Sequence, residues 1–298
     1  FIFIFSIMDE NHVIKSMVFS GGGQTFFTFY GILKQSSLKN FWKYENIESI
    51  YGTSAGAMLS VFFALNIEWE ILDNYVIKRP WNKIFDLSIH SLSNIVEHNG
   101  LFNKNTVAEI FKPLLSLKEI DENVTLKEFY EITKKDIHIF TSEVNSFKSI
   151  DLNHETHPDW KLLDAVYASC CVPLIFEPMV DGSYCYIDGG MLQDFPINEA
   201  LKKYDDHEIF AIKKYGKEIQ NISNDTNLID FVNIMFVKSL KQILNSEKKM
   251  VPNTIFLQDN QVSLEEILSI TSSMELRIQS IQNGINYFDD FLKNKENV

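Results

Sequence analysis

The sequence predicts an α/β fold, and three observations carry that prediction. Strand-like runs stop abruptly at glycine: Met17-Val18-Phe19 before Ser20-Gly21-Gly22-Gly23, and Glu48-Ser49-Ile50-Tyr51 before Gly52. Between later runs lies Ala55–Leu65, apolar on nearly every face, as a buried helix is and a surface helix is not. Strands flanking a crossover helix of that length imply a parallel pair.

In chain order, the first half reads as strand, loop, helix (around Phe26–Lys34), strand, helix. Residues 67–135 read as helical and more polar, with a break near Asn99-Gly100. They are expected to pack in the core; covering a cleft at a membrane interface is the alternative. Ile137–Glu143 and Phe147–Leu152 suit two strands joined at Val144-Asn145-Ser146. Trp160–Ser169 suits a helix closed by Val172-Pro173, Ser183–Ile187 a strand running into Asp188, and Glu208–Ile212 another strand. From Ser263 to about Lys293 the pattern is helical, with an interruption expected near Gly284. No repeat or linker divides the chain. Residues 1–15 are read as an N-terminal extension, 16–215 as the catalytic part, and 216–298 as a mainly helical part of the same domain.

The 298 residues carry a net charge of −13, which argues against a nucleic-acid partner and against electrostatic capture by anionic membranes. Lipid contact would therefore be mainly apolar, and 24 phenylalanines suit an apolar core or cleft. Three cysteines, two of them adjacent (Cys170, Cys171, Cys185), make neither a disulfide framework nor a metal site; small buried thiols in a reducing compartment are expected. The apolar start, Phe1 to Ile7, is too short to span a bilayer, and Met8-Asp9-Glu10 suits a natural start. No transmembrane span is expected, and the expected location is cytoplasmic with peripheral visits to membranes.

Gly52-Thr53-Ser54-Ala55-Gly56 places a serine on a strand-to-helix turn. Such a turn needs small neighbours, and it sets the hydroxyl at a helix N-terminus that favours developing negative charge. Ser20-Gly21-Gly22-Gly23 offers backbone amides unobstructed by side chains, as an oxyanion requires. No Gly-Lys-Ser/Thr follows, and Phe26 stands where a dinucleotide fingerprint needs its last glycine. Asp188-Gly189-Gly190 ends an apolar strand; alone it also reads as a hairpin turn. None of His12, His90, His98, His138, His154, His157 and His207 occupies a late loop suited to a serine triad, which leaves a carboxylate to accept the serine proton.

Taken together, the glycine triplet, Gly-x-Ser-x-Gly about 30 residues later and Asp188-Gly189-Gly190-Met191-Leu192-Gln193-Asp194-Phe195-Pro196 resemble the patatin-like phospholipases. Ala168-Ser169-Cys170-Cys171-Val172-Pro173 with Phe176-Glu177-Pro178 looks like the same family's helix end, and the resemblance covers roughly residues 16 to 215. It implies a three-layer fold with a mostly parallel central sheet flanked by helices. It further implies Ser54 as nucleophile, Asp188 as base, the Gly21, Gly22 and Gly23 amides as oxyanion hole, and hydrolysis of fatty-acyl esters of phospholipids or glycerolipids without cofactor or metal. One departure stands out: the family has Arg or Lys, then Gly, where this chain has Thr25 and Phe26. A weak or silent lipid- or partner-binding relative, and an acyltransferase, are the alternatives.

Overall fold

The computed structural model describes residues 13–87, 95–216, 222–243, 250–259 and 263–296, so His12, His90 and the start expected at Met8 lie outside it. The main sheet runs β10 (Thr254–Asp259), β9 (Ile209–Gly216), β1 (Ser16–Phe19), β2 (Ser49–Thr53), β4 (Asp136–Glu143), β8 (Tyr184–Asp188) and β7 (Met179–Asp181). A further strand, β5 (Lys148–Leu152), folds back on β4 as a hairpin. From β10 to β4 every pairing is parallel; β5, β8 and β7 pair antiparallel with their neighbours. The break expected near Asn99-Gly100 is a short strand, β3 (Gly100–Phe102), which pairs with β6 (Leu174–Phe176) apart from the main sheet.

Side chains alternate across a strand, and that alternation divides the core. Met17, Phe19, Ile50, Ile137, Ile139, Phe210 and Ile212 enter a large cluster on one face. Val18, Tyr51, Phe140, Ile209 and Ala211 enter a smaller one on the other. Helices α1 (Phe26–Leu38), α2 (Ala55–Ala64) and α3 (Trp69–Lys78) contribute to the large cluster, followed in the chain by α4 (Lys104–Leu117), α5 (Leu126–Thr133) and α6 (Leu162–Cys170). The short α7 (Ile197–Ala200) lies on the smaller side. Helix α2 is buried at every residue but Met58, so Leu59, Val61, Phe62 and Phe63 each contribute about 1.5–3 kcal/mol of apolar burial.

Helix α8 (Leu228–Ile243) connects β9 to β10, and α9 (Leu264–Ser272) and α10 (Met274–Glu296) follow. The interruption expected near Gly284 is absent: the helical run breaks at Ser273, and Gly284 lies inside α10. Its role is close approach. A β-carbon on Gly284 would sit 2.1 Å from the Thr28 carbonyl oxygen, and one on Gly31 would sit 2.2 Å from that of Ile281. Alanine is the better helix former by about 1 kcal/mol, but here the overlap falls on backbone that cannot rotate away. Gly284→Ala is therefore expected to lower stability by about 1–3 kcal/mol; an unchanged or raised Tm in thermal unfolding would contradict so tight a crossing.

At the N-terminal end of β2 and β4, His138 forms a half-buried charged network with Asp151 (2.8 Å) and Asp136 (3.2 Å) and stacks on Tyr51 at 4.3 Å. Burial alone would depress the His138 pKa, but the two carboxylates outweigh it and lift it to about 9. Among the described residues no helix is long and apolar enough to cross a membrane.

Candidate active site

Strand register brings Ser54 and Asp188 together. On β4, Ile139–Glu143 have β5 along one edge, so β2 and β8 must share the other. Strand β2 ends with Thr53 opposite Phe140, and β8 places Asp188 opposite Thr141, the next residue along. The turn leaving β2 and the end of β8 thus meet at one point, although 134 positions of chain (54 to 188) separate them.

Ser54 adopts φ 54° and ψ −120°, a strained conformation for a non-glycine residue, between β2 and the first residue of α2. Its N–H donates to Ser169 Oγ (2.8 Å), and that hydroxyl donates to the Phe140 carbonyl (2.6 Å). Fully buried Ser169, at the end of α6, therefore ties the turn to β4. Gly52 is the last residue but one of β2, where a β-carbon would fall 2.5 Å from the Gly56 carbonyl oxygen, and at Gly56 a β-carbon would fall 2.4 Å from the Phe19 carbonyl oxygen. That absence of a side chain lets α2 start directly against β1 and its glycine loop.

The Asp188 carboxyl is buried. Oδ1 accepts the Gly190 N–H at 2.7 Å, while Oδ2 has no hydrogen-bond partner. Burial pushes its pKa up to about 7, and the negative charge of Asp194 adds to the rise. The Ser54 hydroxyl and the Gly190 amide work in the opposite direction. Ser54 and Asp188 are thus neighbours, with Oδ2 left without a closed hydrogen bond. Gly189 brings the aspartate loop onto the sheet: a β-carbon there would lie 2.0 Å from the Phe140 carbonyl oxygen.

Facing the serine is the glycine loop. A β-carbon on Gly21 would lie 3.8 Å from Ser54 Cβ and 2.7 Å from Asp194 Oδ1. The Gly21 N–H donates to the Asp194 carbonyl (2.9 Å), so of the three glycine amides expected to meet an oxyanion this one is already engaged. Thr25 turns inward and donates from Oγ1 to the Gly22 carbonyl (2.7 Å), and Phe26 starts α1.

Ser54 opens onto an apolar cavity with about 770 Å³ of empty space including its mouth. Gly23, Phe26, Phe27, Met58, Trp81, Phe85, Val107, Ile110, Val172 and Phe176 line it, with Ile267, Ile270 and Thr271 of α9 along one wall. Among the described residues no Asp, Glu, Lys or Arg side chain lines it. Parts of residues 67–135 therefore pack in the core, while Val107 and Ile110 also face the cavity. The Gln24 side chain donates to Glu266 and so links the glycine loop to α9.

A sequence profile described as "Patatin-like phospholipase" matches residues 17–201, which is more than half of the chain. The chain belongs to the patatin-like phospholipase family. Within that stretch lie Ser54, Asp188 and the glycine loop; β9, β10 and the last three helices lie beyond it. A probable lipid hydrolase, 463L of Invertebrate iridescent virus 6, is 27% identical over 190 residues, spanning 63% of this chain and 63% of that protein. The fold is similar to that of VipD from Legionella pneumophila, with a TM-score of 0.56 at 15% identity, over 94% of this chain and 67% of that one.

Several residues of this patatin-like site carry no recognisable signal of their own. Cys170, expected only as a buried thiol, lines the cavity beside Ser54, and burial raises its pKa well above the ordinary value. Ser169, Asp194 and the α9 wall act through tertiary contacts that spacing does not encode. Among the described histidines, none lines the cavity or neighbours Asp188.

Proposed function

We propose that this protein is a serine acyl hydrolase acting on fatty-acyl esters of phospholipids or glycerolipids. The observation that carries the reading is the unpartnered carboxylate oxygen of Asp188, buried beside a strained Ser54 at an apolar cavity. A carboxyl ionising near neutrality can take the Ser54 proton without an imidazole. Ser54 then attacks the ester carbonyl, and the Gly22 and Gly23 amides meet the developing oxyanion. Proton return to the leaving alcohol and attack by water complete the cycle.

The lining supports an acyl chain as the buried part of the substrate, with the head group outside. Family membership supports lipid, and the predominantly apolar, uncharged lining supports peripheral contact with a micelle or bilayer. The test is free fatty-acid release from mixed phospholipid and triacylglycerol micelles by wild type, Ser54→Ala and Asp188→Ala. Release by wild type is expected to fall about 10³-fold or more in each folded variant. A folded wild type that releases nothing from any acyl ester sinks the reading.

A further inference from the structure

The residue after the glycine loop that one would look to for a cation is Thr25, yet a cation does reach this loop, from β9. Lys214 Nζ donates to the Gly22 carbonyl oxygen at 3.1 Å. The same oxygen accepts from Thr25 Oγ1 at 2.7 Å and from Thr25 N–H at 3.2 Å. Lys214 also holds the other end of the loop, because its own N–H donates to Ser20 Oγ at 2.9 Å.

In a trans peptide the C=O and the following N–H point in opposite directions, and no peptide among the described residues is cis. Three donors on the Gly22 oxygen therefore turn the Gly23 N–H the other way. Gly23 is the loop residue that lines the cavity with Ser54. A charged donor on the carbonyl also polarises the amide and strengthens its N–H as a donor. We infer that Lys214 is a positioning residue for acyl-ester cleavage: its ammonium fixes and polarises the Gly22–Gly23 peptide so that the Gly23 N–H receives the oxyanion. Lys214 lies beyond residues 17–201 and does not line the cavity. The inference rests on the acyl-hydrolase reading above.

The test compares wild type, Lys214→Met and Lys214→Arg in the full chain, measuring kcat and KM on a soluble short-chain acyl ester and the rate of Ser54 labelling by a fluorophosphonate. In parallel, ¹⁵N-glycine labelling follows the Gly23 amide without any ligand, its resonance assigned by loss in Gly23→Ala. The methionine variant is expected to lose about 10- to 100-fold in kcat, less than removal of a whole oxyanion donor. KM should change little, labelling should slow in proportion, and the Gly23 proton should move upfield; arginine should recover most of each. Wild-type kcat in Lys214→Met overturns the inference. A kcat loss with an unmoved Gly23 resonance, or one that arginine does not repair, also overturns it. Failure of the hydrolase reading shows separately, in wild type alone, as no turnover and no labelling at Ser54.

Discussion

Asp188→Asn is expected to cut acyl-ester cleavage by about 10³- to 10⁴-fold, near the upper range for a general base, while raising stability at alkaline pH. Both halves follow from one cause. Burial makes ionisation of Asp188 costly and lifts its pKa from the ordinary 3.8 to about 7. The proposed proton transfer from Ser54 needs the ionised form, so kcat/KM of the wild type should rise about tenfold per pH unit on the acid side and level off above about pH 7. Stability runs the other way: the folded state holds its proton up to about pH 7, whereas the unfolded chain releases it near 3.8. Folding therefore loses stability as pH climbs through that window, by an amount on the order of a few kcal/mol. Asparagine never ionises and escapes the loss. Tm measured at pH 5 and pH 8 should show wild type dropping relative to Asp188→Asn; a variant less stable than wild type at pH 8, or an unshifted acid limb, would contradict a buried base.

Arg277→Met is expected to be the most destabilising single change away from the site. Arg277 sits in the first turn of α10, and its guanidinium donates to carbonyls at two helix ends. Nε and Nη2 reach Ile77 O near the end of α3 (3.0 and 2.8 Å), and Nη1 reaches Ile270 O and Thr271 O at the end of α9 (2.9 Å each). Helix ends leave carbonyls without partners, and a cation there also meets the negative end of the dipole. Methionine fills similar volume but leaves these oxygens buried and unpaired, a loss of about 3–5 kcal/mol. In a chain of this size that is a Tm drop of roughly 6–15 °C. Lysine keeps the charge without the planar fork and should fall between the two. Because α9 carries Ile267 and Ile270 into the cavity wall, acyl-chain preference should loosen as well. A methionine variant melting within 2 °C of wild type would remove Arg277 from this role.

The two motifs that meet at the candidate site, around Ser54 and Asp188, were legible because each is a short stretch whose neighbours must be small, and small residues in a row are visible in a sequence. The parallel strand pair was legible from the apolar helix between its members. Gly284 was not: in sequence a glycine within a helical pattern reads as a break, and only the facing Thr28 carbonyl shows why it is there. The engagement of the Gly21 amide depends on Asp194, whose carbonyl meets it across a fold that no spacing rule supplies. Strand β10 was missed because a short apolar run such as Thr254-Ile255-Phe256-Leu257 fits a buried helix as well as a strand.

The position of β1 has a consequence for how the molecule comes into being. The strand carrying the glycine loop lies between β2, its near neighbour in sequence, and β9, with a backbone-to-side-chain bond joining residues 194 apart. A chain emerging from the ribosome exposes β1 and β2 long before β9 exists, and such distant pairings form slowly. The Ser54 turn can form early, but the loop opposite it acquires its second flanking strand only when synthesis has passed residue 216. Until then the nascent chain carries the serine without its finished counterpart.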